Sequence, residues 1–214
     1  MTDFAAARED MVRRQIAARG IEDERLLRAM REVPREAFVS EELVALAYQD
    51  SPLPIEAGQT ISQPYIVAVM IAAAGIEPGG KVLEIGAGSG YAAAVLSRVA
   101  GQVIAVERHA DLARRAGERM KQLGYANVHV LEGDGSAGLP REAPFDAILV
   151  SASGRHPDTL KHQLIIGGAL VMPIGATGDA QSLVRVTRTG EAAFETEDLG
   201  AVRFVPLIGE EGWR

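Results

Sequence analysis

Lys81-Val82-Leu83-Glu84-Ile85-Gly86-Ala87-Gly88-Ser89-Gly90-Tyr91 is a short apolar run that breaks into glycines spaced Gly-x-Gly-x-Gly. Val82 to Ile85 reads as a buried strand and Gly90 to Val99 as a helix closed by Gly101. The glycines therefore occupy a strand-to-helix turn, where they permit dihedrals other residues avoid and let the backbone approach a ligand. In open α/β sheets ligands lie at the carboxyl ends of the strands, which is where such a loop must be.

Working outward, the alternation continues. Val103 to Val106 predicts a second strand, Ala110 to Leu123 an amphipathic helix closed by Gly124, and Val128 to Leu131 a third strand. Phe145 to Val150 and Ala169 to Met172 predict two more, with a short helix near Asp158 to Leu164 between them. Strands alternating with helices of this length imply a mostly parallel sheet with helices on both faces. After Gly175 the pieces Ser182 to Thr187 and Val202 to Leu207 lack a crossover helix and are expected as antiparallel strands at the sheet edge. Upstream, Tyr65 to Ala74 reads as a helix ending at Gly75, with Ser62 as its N-cap and Pro64 in its first turn. Before about Asp50 the chain is charge-rich, and Met11, Ile16, Leu26, Leu27, Met30 and Val33 lie at spacings that line one helical face. One α/β domain is expected: a helical elaboration over 1–57, a cofactor-binding core over 58–175 and a β segment over 176–214.

The composition narrows the chemistry. The 214 residues carry 22 Lys+Arg against 29 Asp+Glu, a net charge of −7 that argues against gripping nucleic acid through bulk charge. At 47% hydrophobic and 24% charged residues, the chain can bury a core. With no cysteine, disulfides, thiolate nucleophiles and iron–sulfur clusters are excluded. The stretch Met1-Thr2-Asp3-Phe4 opens no apolar leader, and the longest apolar run, Ile66 to Ile76, is too short to span a bilayer. The expectation is a soluble, cytoplasmic monomer without membrane or nucleic-acid partners. His109, His129, His156 and His162 lack ligand spacing, so no metal is expected. Arg114, Arg115, Glu118, Arg119 and Lys121 read as a solvated helix face, and Trp213 either caps the core or closes over a cofactor.

Glu107 ends the second strand about 20 residues beyond the glycine loop, the offset of a carboxylate that takes a ribose hydroxyl. Nicotinamide and S-adenosylmethionine sites share that pairing. Three details favour the second. Tyr91 stands where a dinucleotide fingerprint has its third glycine; Glu84 is placed to meet a positively charged amino group; and Gly133-Asp134-Gly135 puts a carboxylate where an adenine amino group is expected. S-adenosylmethionine carries a sulfonium and an aminocarboxylate rather than a pyrophosphate, so acidic residues around the loop suit it better.

At this point the chain resembles the protein-L-isoaspartate O-methyltransferase family over nearly its whole length. The likeness rests on Met11-Val12-x-x-Gln15-Ile16, Arg19-Gly20-Ile21, Val33-Pro34-Arg35-Glu36-x-Phe38-Val39 and Ala47-Tyr48-x-Asp50. It continues through Pro52-Leu53-Pro54-Ile55, Gly58-Gln59-Thr60-Ile61-Ser62-Gln63-Pro64, the glycine loop and Gly133-Asp134-Gly135. Ala143 to Ile148, Gln163-Leu164 with Gly167-Gly168, and Phe204-Val205-Pro206-Leu207 complete it. The Thr60 to Pro64 segment is the most specific part.

The resemblance implies a Rossmann-like class I methyltransferase that esterifies the α-carboxylate of isoaspartyl residues in damaged proteins. The ester then collapses to a succinimide, whose hydrolysis returns some normal aspartate. By position, Ser62 is the family's active-site serine, with Thr60, Ile61 and Gln63 around the substrate. Gly86, Ala87, Gly88 and Gly90 approach S-adenosylmethionine, Glu107 with Arg108 meets the ribose, and Gly133, Asp134 and Gly135 border the adenine. A carboxylate with an unperturbed pKa of about 4 is already ionised at pH 7, so no general base is required and positioning dominates. Two departures stand out: the polar Ser151-Ala152-Ser153-Gly154-Arg155-His156-Pro157, where the family has small apolar residues, and Ala87 inside the loop. The first keeps open a different carboxylate substrate, and a non-catalytic S-adenosylmethionine-binding protein is the remaining alternative.

Overall fold

A computed structural model describes residues 3–176 and 180–214; Met1 and Thr2 of the stretch read above for a leader lie outside the described residues. Seven strands form the main sheet: β3 (Lys81–Ile85), β4 (Gln102–Glu107), β5 (Val128–Glu132), β6 (Phe145–Val150), β7 (Leu164–Ile174), β8 (Gln181–Arg188) and β9 (Phe194–Val202). Their order is β5-β4-β3-β6-β7-β8-β9, the first five mutually parallel, with β8 antiparallel to β7 and β9 antiparallel to β8. A two-stranded antiparallel ladder, β1 (Leu53–Pro54) with β2 (Thr60–Ile61), stands apart.

Side chains along a strand alternate between faces, and the core divides accordingly. Val82, Val103, Ala105, Ala147 and Leu149 face a cluster built with α2 (Glu24–Glu32), α3 (Pro64–Ala74) and α4 (Tyr91–Leu96). Leu83, Ile85, Ile104, Val106 and Ile148 face a second cluster with Leu160 of α6 (Asp158–Lys161) and Leu207. Helix α5 (Ala110–Gln122) lies along β5 and β4 and sends Met120 into the first cluster. The chain runs from β3 outward to β4 and β5, then returns to place β6 on the other side of β3. That reversal opens the crevice where α/β sheets bind ligands.

Met11, Ile16, Leu26, Leu27, Met30 and Val33 are all buried, but not on one helix. Helix α1 (Phe4–Asp10) runs into a π-helical turn over Met11–Ile16, the chain reverses at Gly20 with φ 93°, and α2 restarts behind Asp23. The Asp23 carboxylate caps α2 by accepting from the N–H groups of Arg25 and Leu26 at 2.8 and 3.3 Å.

Three expectations are corrected. Ser62 is not the cap of α3: that position is Gln63, followed by Pro64, because Thr60 and Ile61 are held extended in the β1–β2 ladder. The last strand is Phe194–Val202, not Val202–Leu207. Its solvent-facing Glu195, Glu197 and Asp198 hide it from an apolar reading. Phe204 leaves the sheet on the side chain of Gln181, which accepts from its N–H at 2.7 Å and donates to its carbonyl at 3.1 Å. Helix α4 ends at Leu96, shorter than expected.

Candidate active site

The glycine loop folds back over β4. Gly86, Gly88 and Gly90 all have positive φ, at 87°, 54° and 88°, which a side chain would oppose. The N–H groups of Gly86 and Ala87 both donate to the Val106 carbonyl, at 2.8 and 3.1 Å. Glu107 then closes the loop from below. Its Oε2 accepts from the Gly88 N–H and its Oε1 from the His109 N–H, each at 2.9 Å. The carboxylate is 4% exposed, and each oxygen keeps a lone pair for a ligand hydroxyl. Glu107, Arg108 and His109 line one wall of a cavity, Gly133 and Gly135 another, and Gly86 and Gly88 its floor.

At the narrow end of this crevice lies Glu84, 1% exposed, between Ala87, Ser89 and Tyr91. Its Oε2 finds no hydrogen-bond partner among the described residues. Burial, and then the neighbouring charge of Glu107, push its pKa up to about 8. An orphaned buried carboxyl beside a second carboxylate is a site for a ligand cation. The amino group of an amino-acid ligand meets that demand, and the ribose of the same ligand meets Glu107. The residues present therefore fit S-adenosylmethionine.

The β1–β2 ladder brings the third part. Ile55 N–H donates to Gln59 O at 2.9 Å across a tight turn in which Ala57 takes φ 57°, and Glu56 pairs with Arg115 of α5. Thr60 is thereby held over the glycine loop. On its far side opens a groove of about 470 Å³, walled by Pro52, Ser62, Gln63, Ile66 and the segment 201–205. Thr60 and Ser151 line the cofactor cavity, its narrow end and the groove alike, and Ser62 lines the last two. This junction joins cofactor and substrate spaces. Arg203 is the one ionisable side chain among the groove's described walls, so the groove favours an anion and offers Ser62 no base to make it a nucleophile.

Not every expected residue faces the cavity. Ile61, 3% exposed, reaches only the narrow end, and Gln63 reaches the groove while its Nε2 donates to Asp50 O at 3.1 Å. Gly90 starts α4 and packs on α5, where a Cβ would lie 2.9 Å from Met120 Cε. The Asp134 carboxylate turns away from the cavity to the backbone of Glu210. Sequence reasoning singled out the polar departure after β6, whose Ser151 does line the site, and missed the wall Val205–Ile208. Of that departure only Ser151 and Ala152 line a cavity. Trp213 donates from Nε1 to Ser153 O at 2.8 Å, and the Arg155 guanidinium lies 4.5 Å over its ring.

Comparison with known proteins agrees with this geometry. The family model described as protein-L-isoaspartate(D-aspartate) O-methyltransferase matches residues 6–212. A protein-L-isoaspartate O-methyltransferase 1 of Rhodopseudomonas palustris (strain HaA2) is 60% identical over 213 residues, 99% of this chain and 87% of that protein. A protein-L-isoaspartate O-methyltransferase 2 of Pelobacter propionicus is 55% identical over 207 residues, 96% of this chain and 92% of its own. A solved protein-L-isoaspartate O-methyltransferase superposes with TM-score 0.86 at 30% identity, covering 96% of this chain and 67% of that one. A Plasmodium falciparum protein of the same description, solved with S-adenosyl-L-homocysteine, gives TM-score 0.80 at 26% identity, covering 94% and 98%.

Proposed function

Because the chain belongs to the protein-L-isoaspartate(D-aspartate) O-methyltransferase family, we infer that it methylates the free α-carboxylate of isoaspartyl residues in proteins, using S-adenosylmethionine. The observation that carries the assignment to this site is the junction at Thr60 and Ser151, where the acidic cofactor cavity opens into a groove whose one charged wall residue is Arg203.

S-adenosylmethionine, when bound, supplies a methyl group on a cationic sulfur that a carboxylate displaces directly. Glu107 holds the ribose while keeping the loop closed through Gly88, and Glu84 takes the amino group at the narrow end. Gly86 and Gly88 leave room for the ligand, and Val205–Ile208 exclude water from it. Ser62, freed from capping α3, donates its hydroxyl to the substrate carboxylate, and Thr60 fixes the distance between groove and cavity. No proton is transferred by the protein, because the nucleophile is ionised well above pH 4. The rate advantage comes from alignment, a contribution that reaches about 7–11 kcal/mol for well-oriented reactants. Gln63 and Arg203 face the flanking peptide.

Labelled-methyl transfer to matched peptides differing only in isoaspartate or aspartate tests the reading. Base-labile label on the isoaspartyl peptide alone is expected. Transfer to neither peptide, with S-adenosylmethionine binding confirmed by calorimetry, would keep the cavity and discard the substrate. No helix among the described residues is long and apolar enough to cross a membrane.

A further inference from the structure

The groove beside the cofactor cavity carries its one charged wall residue on a fixed base. Arg203 follows the end of β9, where Val202 lies in register with Gln181 of β8. The residue after it is held by the same partner. The buried Gln181 side chain accepts from Phe204 N–H at 2.7 Å and donates to Phe204 O at 3.1 Å. One position further, Val205 O accepts from Ser153 N–H at 2.8 Å. The backbone on both sides of Arg203 is therefore tied down, while the residue itself is exposed. The ion pairs among the described residues leave Arg203 out.

Neighbouring charges do not cancel this cation. The other described walls of the groove are apolar or uncharged. Asp50, whose carbonyl accepts from Gln63 Nε2, has its own carboxylate on Arg19 at 2.9 Å. The acids of β9, Glu195, Glu197 and Asp198, pair further down the strand with Thr187, Arg185 and Val184. A charge between protein walls of low dielectric acts more strongly than one in open water. It also opposes the net charge of −7, which by itself repels an acidic peptide. Val205 lines both the cofactor cavity and the groove. Arg203 is two residues from it, at most about 7 Å of chain. A peptide whose isoaspartyl carboxylate lies at the junction therefore brings its adjacent side chains to the guanidinium.

We propose that Arg203 is a specificity-determining residue: it selects isoaspartyl sites that carry an acidic side chain within two residues of the damaged one. The proposal rests on the reading of the groove as the substrate site.

The test uses the full chain, S-adenosylmethionine and isoaspartyl peptides in matched pairs, each pair with Glu or Gln at one of the two positions on either side of the isoaspartate. The readout is the Glu-over-Gln ratio of kcat/KM, taken within one protein, so a general loss of activity in a variant cancels. At one or more positions the parent is expected to favour Glu by about threefold to fivefold. That ratio should shrink toward one in 1 M salt, where charges are screened beyond about 3 Å. Arg203→Lys should keep most of the preference, Arg203→Met should bring it to one, and Arg203→Glu should invert it. If one variant fails to fold, the other two and the salt series still decide. A parent that methylates all pairs without a Glu preference, or a preference that survives in Arg203→Met or in Arg203→Glu, would overturn the proposal and leave the substrate reading standing. A parent that methylates no isoaspartyl peptide would overturn both.

Discussion

The N–H of Gly88 donates to Oε2 of Glu107 at 2.9 Å, so the carboxylate assigned to the ribose is also the brace of the glycine loop. Binding and loop shape are coupled through one side chain. Glu107→Ala should therefore raise the Kd for S-adenosylhomocysteine on the order of a hundredfold by calorimetry. It should also lower amide exchange protection at Gly88 before any ligand is added. Glu107→Gln, which retains an acceptor of the same shape, should lose about tenfold and keep the protection.

Ser62 is expected to act on the substrate alone. Ser62→Ala should lower kcat/KM for an isoaspartyl peptide by about 10- to 100-fold, the worth of one hydrogen bond to a charged group. Cofactor affinity should stay within about twofold of the parent. Full activity in Ser62→Ala would remove the orienting role.

Ser151 stands at the same junction, so its hydroxyl is expected to contribute to the same carboxylate from the opposite strand end. Ser151→Ala should lower kcat/KM by about threefold to tenfold without altering the isoaspartate preference. A change in cofactor Kd instead, read by the same calorimetry, would place Ser151 on the cofactor.

Glu84 makes the protein pH-dependent in a stated direction. Its carboxyl ionises at about 8 in the fold against 4.5 when unfolded, so between those values the folded protein carries a proton that the unfolded chain does not. Its stabilising contribution is full below pH 4.5 and is lost as the pH rises to about 8. Glu84→Gln should flatten that part of the urea-unfolding profile. A cationic ligand beside Glu84 pulls the proton off, so S-adenosylhomocysteine binding near pH 7 should release protons, seen as buffer-dependent binding enthalpy. Glu84→Gln should abolish that release.

Arg35 is fully buried under the N-terminal helices, its Nε donating to Ala47 O at 2.8 Å and its guanidinium 4.7 Å from the Tyr91 ring centre. Neither Nη has a hydrogen-bond partner among the described residues. A poorly satisfied buried charge adds little net stability, so Arg35→Met should unfold within about 1 kcal/mol of the parent in urea, or above it. Arg35→Ala, which leaves a void, should cost about 2–4 kcal/mol.

Much of the fold was legible locally. The apolar strands β3, β4 and β6 lie within one or two residues of where their periodicity places them. The helix before them, Pro64–Ala74, ends at Gly75 as expected. What was missed is polar or contextual. Strand β9 carries acids toward solvent, and the N-terminal apolar residues are shared among short helices that turn at Gly20. Ser62 looked like a cap because the ladder that holds Thr60 extended depends on Leu53 and Pro54, several residues away.

The parallel α/β core, the glycine loop and the placement of Glu107 were determined by the sequence alone. They follow from a period of two, a period of 3.6 and the dihedral freedom of glycine, all short-range properties. The convergence of Thr60, Ser62 and Ser151, the turning of Asp134 toward Glu210 and the closure by Val205–Ile208 were decided only in three dimensions. Each depends on β6 lying beside β3 and on the chain's last segment spanning from β6 to β5. Those pairings join residues tens of positions apart, and packing rather than local preference selects them.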